Sequence, residues 1–384
     1  MSELIYFDNS ATTKIAPEAL NTMTQVMQTY YANPSSLHKL GNESAKLLNS
    51  ARKQVADLLG ADSSEIFFTS GGTESNNWAI KGTAMEKEKY HGKHIIVSSV
   101  EHPSVKNTMA YLEKNGFEVT YLPADKEGKV HVEDVAAAIK DETILVSVMA
   151  VNNEIGAIQP IAEIGDLLEK YPTIHFHVDG VQSVGTFKKP LIHDRVDLMS
   201  FSAHKFNGPR GIGILYKKQN RNIEHLLEGG GQEMGQRSTT ENLPGIVATA
   251  KALRIALTEA PEVKANEEAI QKKLRAFFAE HEDVIRVYSP EDAAPHVLTV
   301  ALKGVRGEVM VHALEEEDVI VSTTSACSSR AVNNTSSTLG AMKVDPVWAK
   351  QAIRLSFGKD NTLAEVDQFI EIYSKLMKKF ERIQ

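Results

Sequence analysis

The sequence contains one cysteine, Cys327, in 384 residues. No intrachain disulfide can form, so that thiol is either a small buried hydrophobe or a reactive group. No apolar run approaches the roughly 18 residues that would cross a bilayer. The first residues, Met1-Ser2-Glu3-Leu4, lack the basic and apolar segments of a secretory signal. The expected location is therefore the cytoplasm, with no membrane partner. Positive charge is also short: 42 Lys and Arg face 50 Asp and Glu, a net charge of −8. That balance argues against broad nucleic-acid binding. Internal repeats and low-complexity tracts are missing too. What remains is an ordinary composition, 42% hydrophobic and 24% charged, long enough for a large core and two domains.

Along the chain, Leu4 to Phe7 reads as extended and Asp8 to Thr13 as a polar turn. Pro17 suits the first turn of a helix carrying Leu20, Met23, Met27 and Tyr30 on one side. Asn33-Pro34-Ser35-Ser36 breaks it, and a second amphipathic helix runs from about Glu43 to Leu59, with Gly60 as a stop. Strand patterns at 66–69, 94–98, 117–122, 144–151 and 174–178 then alternate with helical ones at 75–89, 105–114, 132–140 and 161–170. Such alternation predicts a mainly parallel sheet covered on both faces, with ligands bound beyond the carboxyl ends of its strands. After Gly245 the texture becomes charge-rich. Helices are expected at 246–257 and 263–281, with a boundary near Pro261, followed by a smaller α/β layer. A last helix bears the stripe Val366, Phe369, Tyr373, Leu376 and Phe380, best read as core packing. The expected division is a large domain, 16–256, and a small one formed by 1–15 with 257–384. Ser328 to Ser337 reads as a mobile polar loop.

The chemistry gathers at strand ends. Ser202-Ala203-His204-Lys205 lies between two β-like runs, 196–201 and 212–216, with Gly208 and Gly211 close behind. A lysine desolvated there would have a lowered pKa and attack a carbonyl as the neutral amine, as a pyridoxal 5′-phosphate (PLP) Schiff base requires. Taken alone it reads instead as a solvated turn lysine, and the other segments change that reading. Thr69-Ser70-Gly71-Gly72-Thr73-Glu74-Ser75 runs from a strand through a double glycine into a helix. Its free N–H groups and the Thr73 hydroxyl would cradle a phosphate, or serve only as a cap. His102, after the strand ending near Ser99, could stack on a flat cofactor and shuttle protons. Asn152-Asn153 could bond a phenolate or a carboxylate, against the competing role of Asx turns. Asp179 ends a strand in which Ile174, Phe176 and Val178 point one way and His175, His177 and Asp179 the other. A buried aspartate there needs a cation, and a protonated pyridine nitrogen is one. Arg354 interrupts the apolar run Ile353-Arg354-Leu355-Ser356-Phe357. It fits an α-amino-acid carboxylate or an internal salt bridge.

Together these segments resemble the cysteine desulfurases (NifS/IscS-like) of the class V aminotransferase group. The resemblance covers nearly the whole chain, from Tyr6-Phe7-Asp8-Asn9-Ser10-Ala11-Thr12-Thr13 to the last helix. It includes Gly229-Gly230-Gly231-Gln232-Glu233 and Ser325-Ala326-Cys327-Ser328-Ser329. It implies an α/β fold, type I of the PLP-dependent transferases, with a mainly parallel sheet of the seven-stranded type and a smaller α/β domain. It implies PLP on Lys205, which also moves protons, Asp179 on the pyridinium nitrogen, and His102 stacked as acid/base. Gln182 and Asn153 would bond the ring oxygen. Gly72, Thr73, Ser202 and His204 would bind the phosphate, joined by Thr240 from the neighbouring subunit of a homodimer. Arg354, helped by Asn153, would hold the carboxylate of L-cysteine. Cys327, on a thiol loop at about 323–340, would take the sulfur as a persulfide and release alanine. No metal site is implied.

Against the family pattern, Thr324 and Thr239 stand where glycine is usual and Gly180 where alanine is usual. The residues stop soon after Phe380, short of the tail some members use to dock an iron–sulfur scaffold. A tRNA-thiolation enzyme is therefore as good a candidate acceptor as such a scaffold. The competing readings are a class V aminotransferase or lyase acting on another amino acid, against which Cys327 argues, and a non-catalytic sulfur-relay partner, against which intact Lys205, Asp179 and His102 argue.

Overall fold

The structure is a computed structural model and describes residues 4–186, 191–324 and 337–382. Cys327 and most of the expected thiol loop lie outside the described residues. A two-residue strand, β1 (Ile5–Tyr6), opens the chain and pairs in parallel with β11 (Val319–Ile320). A seven-stranded sheet follows: β2 (Ile66–Thr69), β3 (His94–Ser98), β4 (Glu118–Leu122), β5 (Thr143–Ser147), β6 (His175–Asp179), β7 (Leu198–Ser202) and β8 (Gly213–Lys217), in the spatial order β2-β8-β7-β6-β5-β3-β4. The β3, β4, β5, β6 and β7 pairings are parallel, whereas β8 runs antiparallel to both β7 and β2. The run expected at 144–151 supplies a shorter strand. Beyond Ser147 the regular strand ends, but the Val148 and Ala150 N–H groups still donate to the His177 and Asp179 carbonyls of β6, at 3.1 and 2.9 Å.

The near-continuous apolar runs are explained by burial on both sides. Ile96 and Val146 join the core on one face of the sheet, Ile95, Val97 and Leu145 the core on the other. Each such side chain contributes about 1.5–3 kcal/mol of transfer free energy. Helices Pro17–Thr29 and Lys39–Leu59 pack on the long helix Leu243–Ala279. His38 caps the second of these, its side chain accepting from the Gly41 N–H, and Gly60 ends it at φ 74°.

A second, antiparallel sheet in the order β12-β13-β10-β9 is made by β9 (Ile285–Val287), β10 (Val297–Leu302), β12 (Ser322–Thr323) and β13 (Ala352–Ser356). It has its own core, which includes Ile5, Phe7 and the stripe Val366, Phe369, Tyr373 and Leu376 of the last helix, Leu363–Glu381. Phe7 lies 5.3 Å from Phe357 and 5.8 Å from Phe369, ring centre to ring centre. That packing anchors the N-terminal segment whose next residues line the site.

The break expected near Pro261 is absent. Leu243–Ala279 is one helix of 37 residues with Pro261 inside it. Pro261 is exposed, so water can take the carbonyl that its missing N–H leaves free. The described helices include none long and apolar enough to cross a membrane.

Candidate active site

The carboxyl ends of β2, β6 and β7, the turns after β3 and β5, the N-terminal segment and β13 enclose a cavity of about 570 Å³. Gly72, Thr73, His102, Asn153, Asp179, Gln182, Ser202, His204, Lys205 and Arg354 all line it. Thr240 does not. It is exposed, on the loop that Arg237 ties down through a bidentate pair with Glu74, at 2.7 and 2.8 Å. Burial would raise the Glu74 carboxyl, but the bonds from Arg237 and Ser70 bring it below its ordinary value. The loop is pinned again by Glu233, which is buried and accepts from both Arg52 terminal nitrogens at 2.7 Å and from the Phe68 N–H at 2.8 Å.

The floor of the cavity is set by glycine. Helix Gly72–Lys87 begins at the end of β2, and its first N–H groups have no partner within the helix. A Cβ at Gly72 would sit 2.8 Å from Val181 Cγ2 and 3.4 Å from Ser202 Cβ. Only glycine brings these N–H groups so close to the ends of β6 and β7.

One hydrogen-bond chain orients the two residues expected to hold a ring. Asp179 is 4% exposed. Its Oδ2 accepts from Asn76 Nδ2 at 2.8 Å and its Oδ1 from the Val181 N–H at 3.0 Å. Both partners are neutral, and no salt bridge to Asp179 is found among the described residues. Asn76 Nδ2 also donates to Ser104 Oγ at 2.9 Å. Ser104 Oγ lies 2.8 Å from His102 Nδ1, and the Ser104 N–H donates to the same nitrogen at 3.1 Å. Nδ1 is therefore an acceptor, and the proton of the neutral ring is on Nε2. Burial holds the His102 pKa below its ordinary value. Asp179 raises it in part and Lys205 lowers it further.

Lys205 follows β7 on a single 3₁₀ turn, Ala203–Lys205. Its Nζ donates to the carbonyls of Ser10 and, at 3.0 Å, Ala11. His204 Nδ1 is 3.1 Å from Thr12 Oγ1, and burial, with Lys205 and Arg210 nearby, lowers its pKa to about 4. The asparagine pair divides its work. Asn152 is buried and makes the Asx turn, its Oδ1 accepting from the Glu154 and Ile155 N–H groups. Asn153 faces the cavity, and its carbonyl accepts from Arg354 Nη1 at 2.9 Å. Arg354 Nη2 is 3.0 Å from Asp8 Oδ1. The internal salt bridge considered from the sequence is thus formed, yet Arg354 Nε is buried with no hydrogen-bond partner among the described residues. Gly180 packs against Met199 and Phe201: a Cβ there would lie 2.5 Å from Met199 Cε, the movable end of that side chain.

The residues the sequence reading missed are mostly those that hold others. Asp8 lay within a quoted motif without a role, whereas Asn76, Ser104 and Arg210 carried no signal by spacing. Glu101, next to His102, is fully buried, and burial pushes its carboxyl up to about 8. Its Oε1 accepts from Ser98 Oγ and the Met149 N–H, at 2.5 and 2.7 Å.

A helix start opened by glycine, a buried carboxylate joined through Asn76 and Ser104 to His102, and a lysine after the next strand share one cavity, in an α/β fold of the type I class of PLP-dependent transferases. Comparison with known proteins agrees. The aminotransferase class-V family matches residues 5–369. A NifS/IcsS protein homolog from Lactobacillus delbrueckii subsp. bulgaricus is 56% identical, over 99% of each chain. A cysteine desulfurase IscS from Clostridium botulinum is 41% identical, over 98% of this chain and 95% of that one. Among solved structures, a NifS-like protein superposes with a TM-score of 0.90 at 38% identity, covering 100% of both chains. A structure titled SspA in complex with cysteine gives 0.80 at 34%, over 92% of this chain and 99% of that one. The chain belongs to the class-V aminotransferase family, among its cysteine desulfurases of the NifS/IscS kind. It removes sulfur from L-cysteine.

Proposed function

We propose that this chain performs L-cysteine desulfuration with PLP on Lys205 and leaves the sulfur as a persulfide on Cys327. The observation that carries the cofactor reading is Asp179, a buried carboxylate whose partners among the described residues are neutral. A protonated pyridine nitrogen supplies the missing cation. When bound, the cofactor acts as an electron sink for the amino acid's carbon skeleton.

The chain's own residues do the rest. The Gly72 and Thr73 N–H groups, with Ser202 and His204, take the phosphate. His102 would cover the ring and exchange a proton at Nε2, and Gln182 and Asn153, which line the same cavity, would bond the ring oxygen. Lys205 Nζ binds the cofactor and carries protons. Arg354, with Asn153, takes the substrate carboxylate, its unpartnered Nε supporting that role. The Cys327 thiolate attacks the sulfur of L-cysteine. A sulfur–sulfur bond forms and the carbon–sulfur bond breaks. The electron pair stays on the carbon, which is protonated to alanine. The thiol and L-cysteine thereby become the persulfide and alanine, with no outside oxidant.

The large unit is 16–256 and the small one is 1–15 with 257–384. The working form is a cytoplasmic homodimer in which Thr240 of each subunit reaches the other's phosphate. Support comes from Thr240 itself, exposed and outside its own cavity, and from the exposed apolar residues Leu20, Met27, Tyr31, Leu37 and Leu40. The acceptor is an iron–sulfur scaffold or a tRNA-thiolation enzyme. Mass spectrometry after incubation with L-cysteine tests the reading. One added sulfur on Cys327 with matching alanine is expected, and neither in Cys327→Ser. Undiminished sulfide release by Cys327→Ser overturns it.

A further inference from the structure

Gln182 meets the cavity through its amide, and both ends of that amide are held. Nε2 donates to the Ser10 carbonyl at 3.1 Å. A carbonyl only accepts, so the nitrogen end must face Ser10 and Oε1 must face away. Oε1 lies 3.2 Å from His296 Nε2. An amide oxygen also only accepts, so His296 carries its proton on Nε2. His296 directly precedes β10, in the small sheet, whereas Gln182 follows β6 in the large one. It does not line the 570 Å³ cavity. Instead it stands behind Gln182, beside a small chamber of about 80 Å³ that Gln182 and Lys205 also line. The charged groups nearest it are Arg354 and Lys205. With burial, they bring its pKa down to about 4, so the ring is neutral at physiological pH. No motif marks this histidine in the sequence.

We propose that His296 is a positioning residue: its Nε2–H locks the Gln182 amide so that the second Nε2 hydrogen is offered to the ring oxygen of the cofactor. The proposal rests on the reading that the cavity holds PLP, and it deepens that reading. Without His296, Gln182 Oε1 is a buried acceptor with no donor, and the amide is free to turn. The ring oxygen then loses its donor. Its negative charge holds the proton on the neighbouring lysine-bound nitrogen more tightly.

The test is a pH titration of the visible absorbance of lysine-bound PLP. Wild type, His296→Gln, His296→Phe, Gln182→Leu and the Gln182→Leu/His296→Phe double variant are compared. Gln keeps an N–H donor, and Phe keeps the ring volume without one. The midpoint is expected to rise by about one pH unit in His296→Phe, to stay near wild type in His296→Gln, and to move no further when His296→Phe is added to Gln182→Leu. His296→Leu replaces His296→Phe if the larger ring prevents folding. A donor-free variant that titrates like wild type overturns the proposal, as does a further rise in the double variant. Wild type that takes up no lysine-bound PLP overturns the cofactor reading and this role with it. Failure confined to the variants leaves the cofactor reading standing.

Discussion

The Arg354 guanidinium, which lines the cavity, is ion-paired with the Asp8 carboxylate, Nη2 to Oδ1 at 3.0 Å, with both side chains largely buried. They join β13 to the N-terminal segment, so the residue expected to recognise substrate is already held by a carboxylate of the chain. An incoming α-carboxylate competes with Asp8 and gains Nε. Arg354→Ala is expected to raise the KM for L-cysteine tenfold or more, roughly 1.4 kcal/mol per decade, with PLP content unchanged. Asp8→Asn is expected to lower KM, because the competing charge is gone. Steady-state alanine formation against L-cysteine concentration reads both. An unchanged KM in Arg354→Ala removes Arg354 from carboxylate recognition.

The second prediction concerns Asn76, which connects Asp179 to Ser104 and, through it, to His102. Asn76→Ala unclamps the carboxylate and the imidazole together. Loss of a hydrogen bond to a charged group costs about 1.5–3 kcal/mol, so PLP affinity should fall roughly tenfold to a hundredfold. Alanine formation at saturating PLP should fall as well, because His102 loses its alignment. Equilibrium dialysis of PLP checks the first effect and initial rates the second. Undisturbed affinity would mean that Asp179 needs no help from Asn76.

Gly72 supports a third prediction. In Gly72→Ala the new Cβ meets Val181 Cγ2 at 2.8 Å, and Val181 itself lines the cavity. Overpacking of this kind costs about 1–3 kcal/mol. The cradle widens, and the variant should release PLP more readily, at a lower melting temperature. Thermal unfolding with and without added PLP separates the two effects: the gap between the two curves should narrow.

Most of the frame was legible in the sequence because the signals were local. Apolar runs of four to eight residues, broken by glycine and by amphipathic periods, locate β2, β3, β5 and β6. Each strand end with an odd polar group is a wall of the cavity. Non-local relationships were not legible. The reversal of β8 is set by pairing with β7 and β2, not by its own composition. Pro261 reads as a stop, yet tertiary packing on both sides carries the helix through it. Asn76, Ser104, Asp8 and His296 act through partners up to 346 positions away, as in the Asp8–Arg354 pair, and spacing carries no trace of that.

The last prediction is a pH effect away from the reacting atoms. Glu267, on the long helix Leu243–Ala279, is buried beside the small chamber. Burial raises its carboxyl to about 8, and the Lys264 ammonium offsets this only in part. The folded pKa is above the unfolded value, so the native state binds the proton more tightly. The stability this contributes is full below the unfolded pKa, about 4.3, and is lost as pH rises toward 8. Glu267→Gln replaces the titrating carboxyl with a neutral amide. Its unfolding free energy should gain on wild type by at most ~1.4 kcal/mol per pH unit across that window and run parallel to it below pH ~4. Urea unfolding of the two proteins at pH 5 and pH 8 is the measurement. A difference that does not grow with pH would place the Glu267 carboxylate in contact with water throughout.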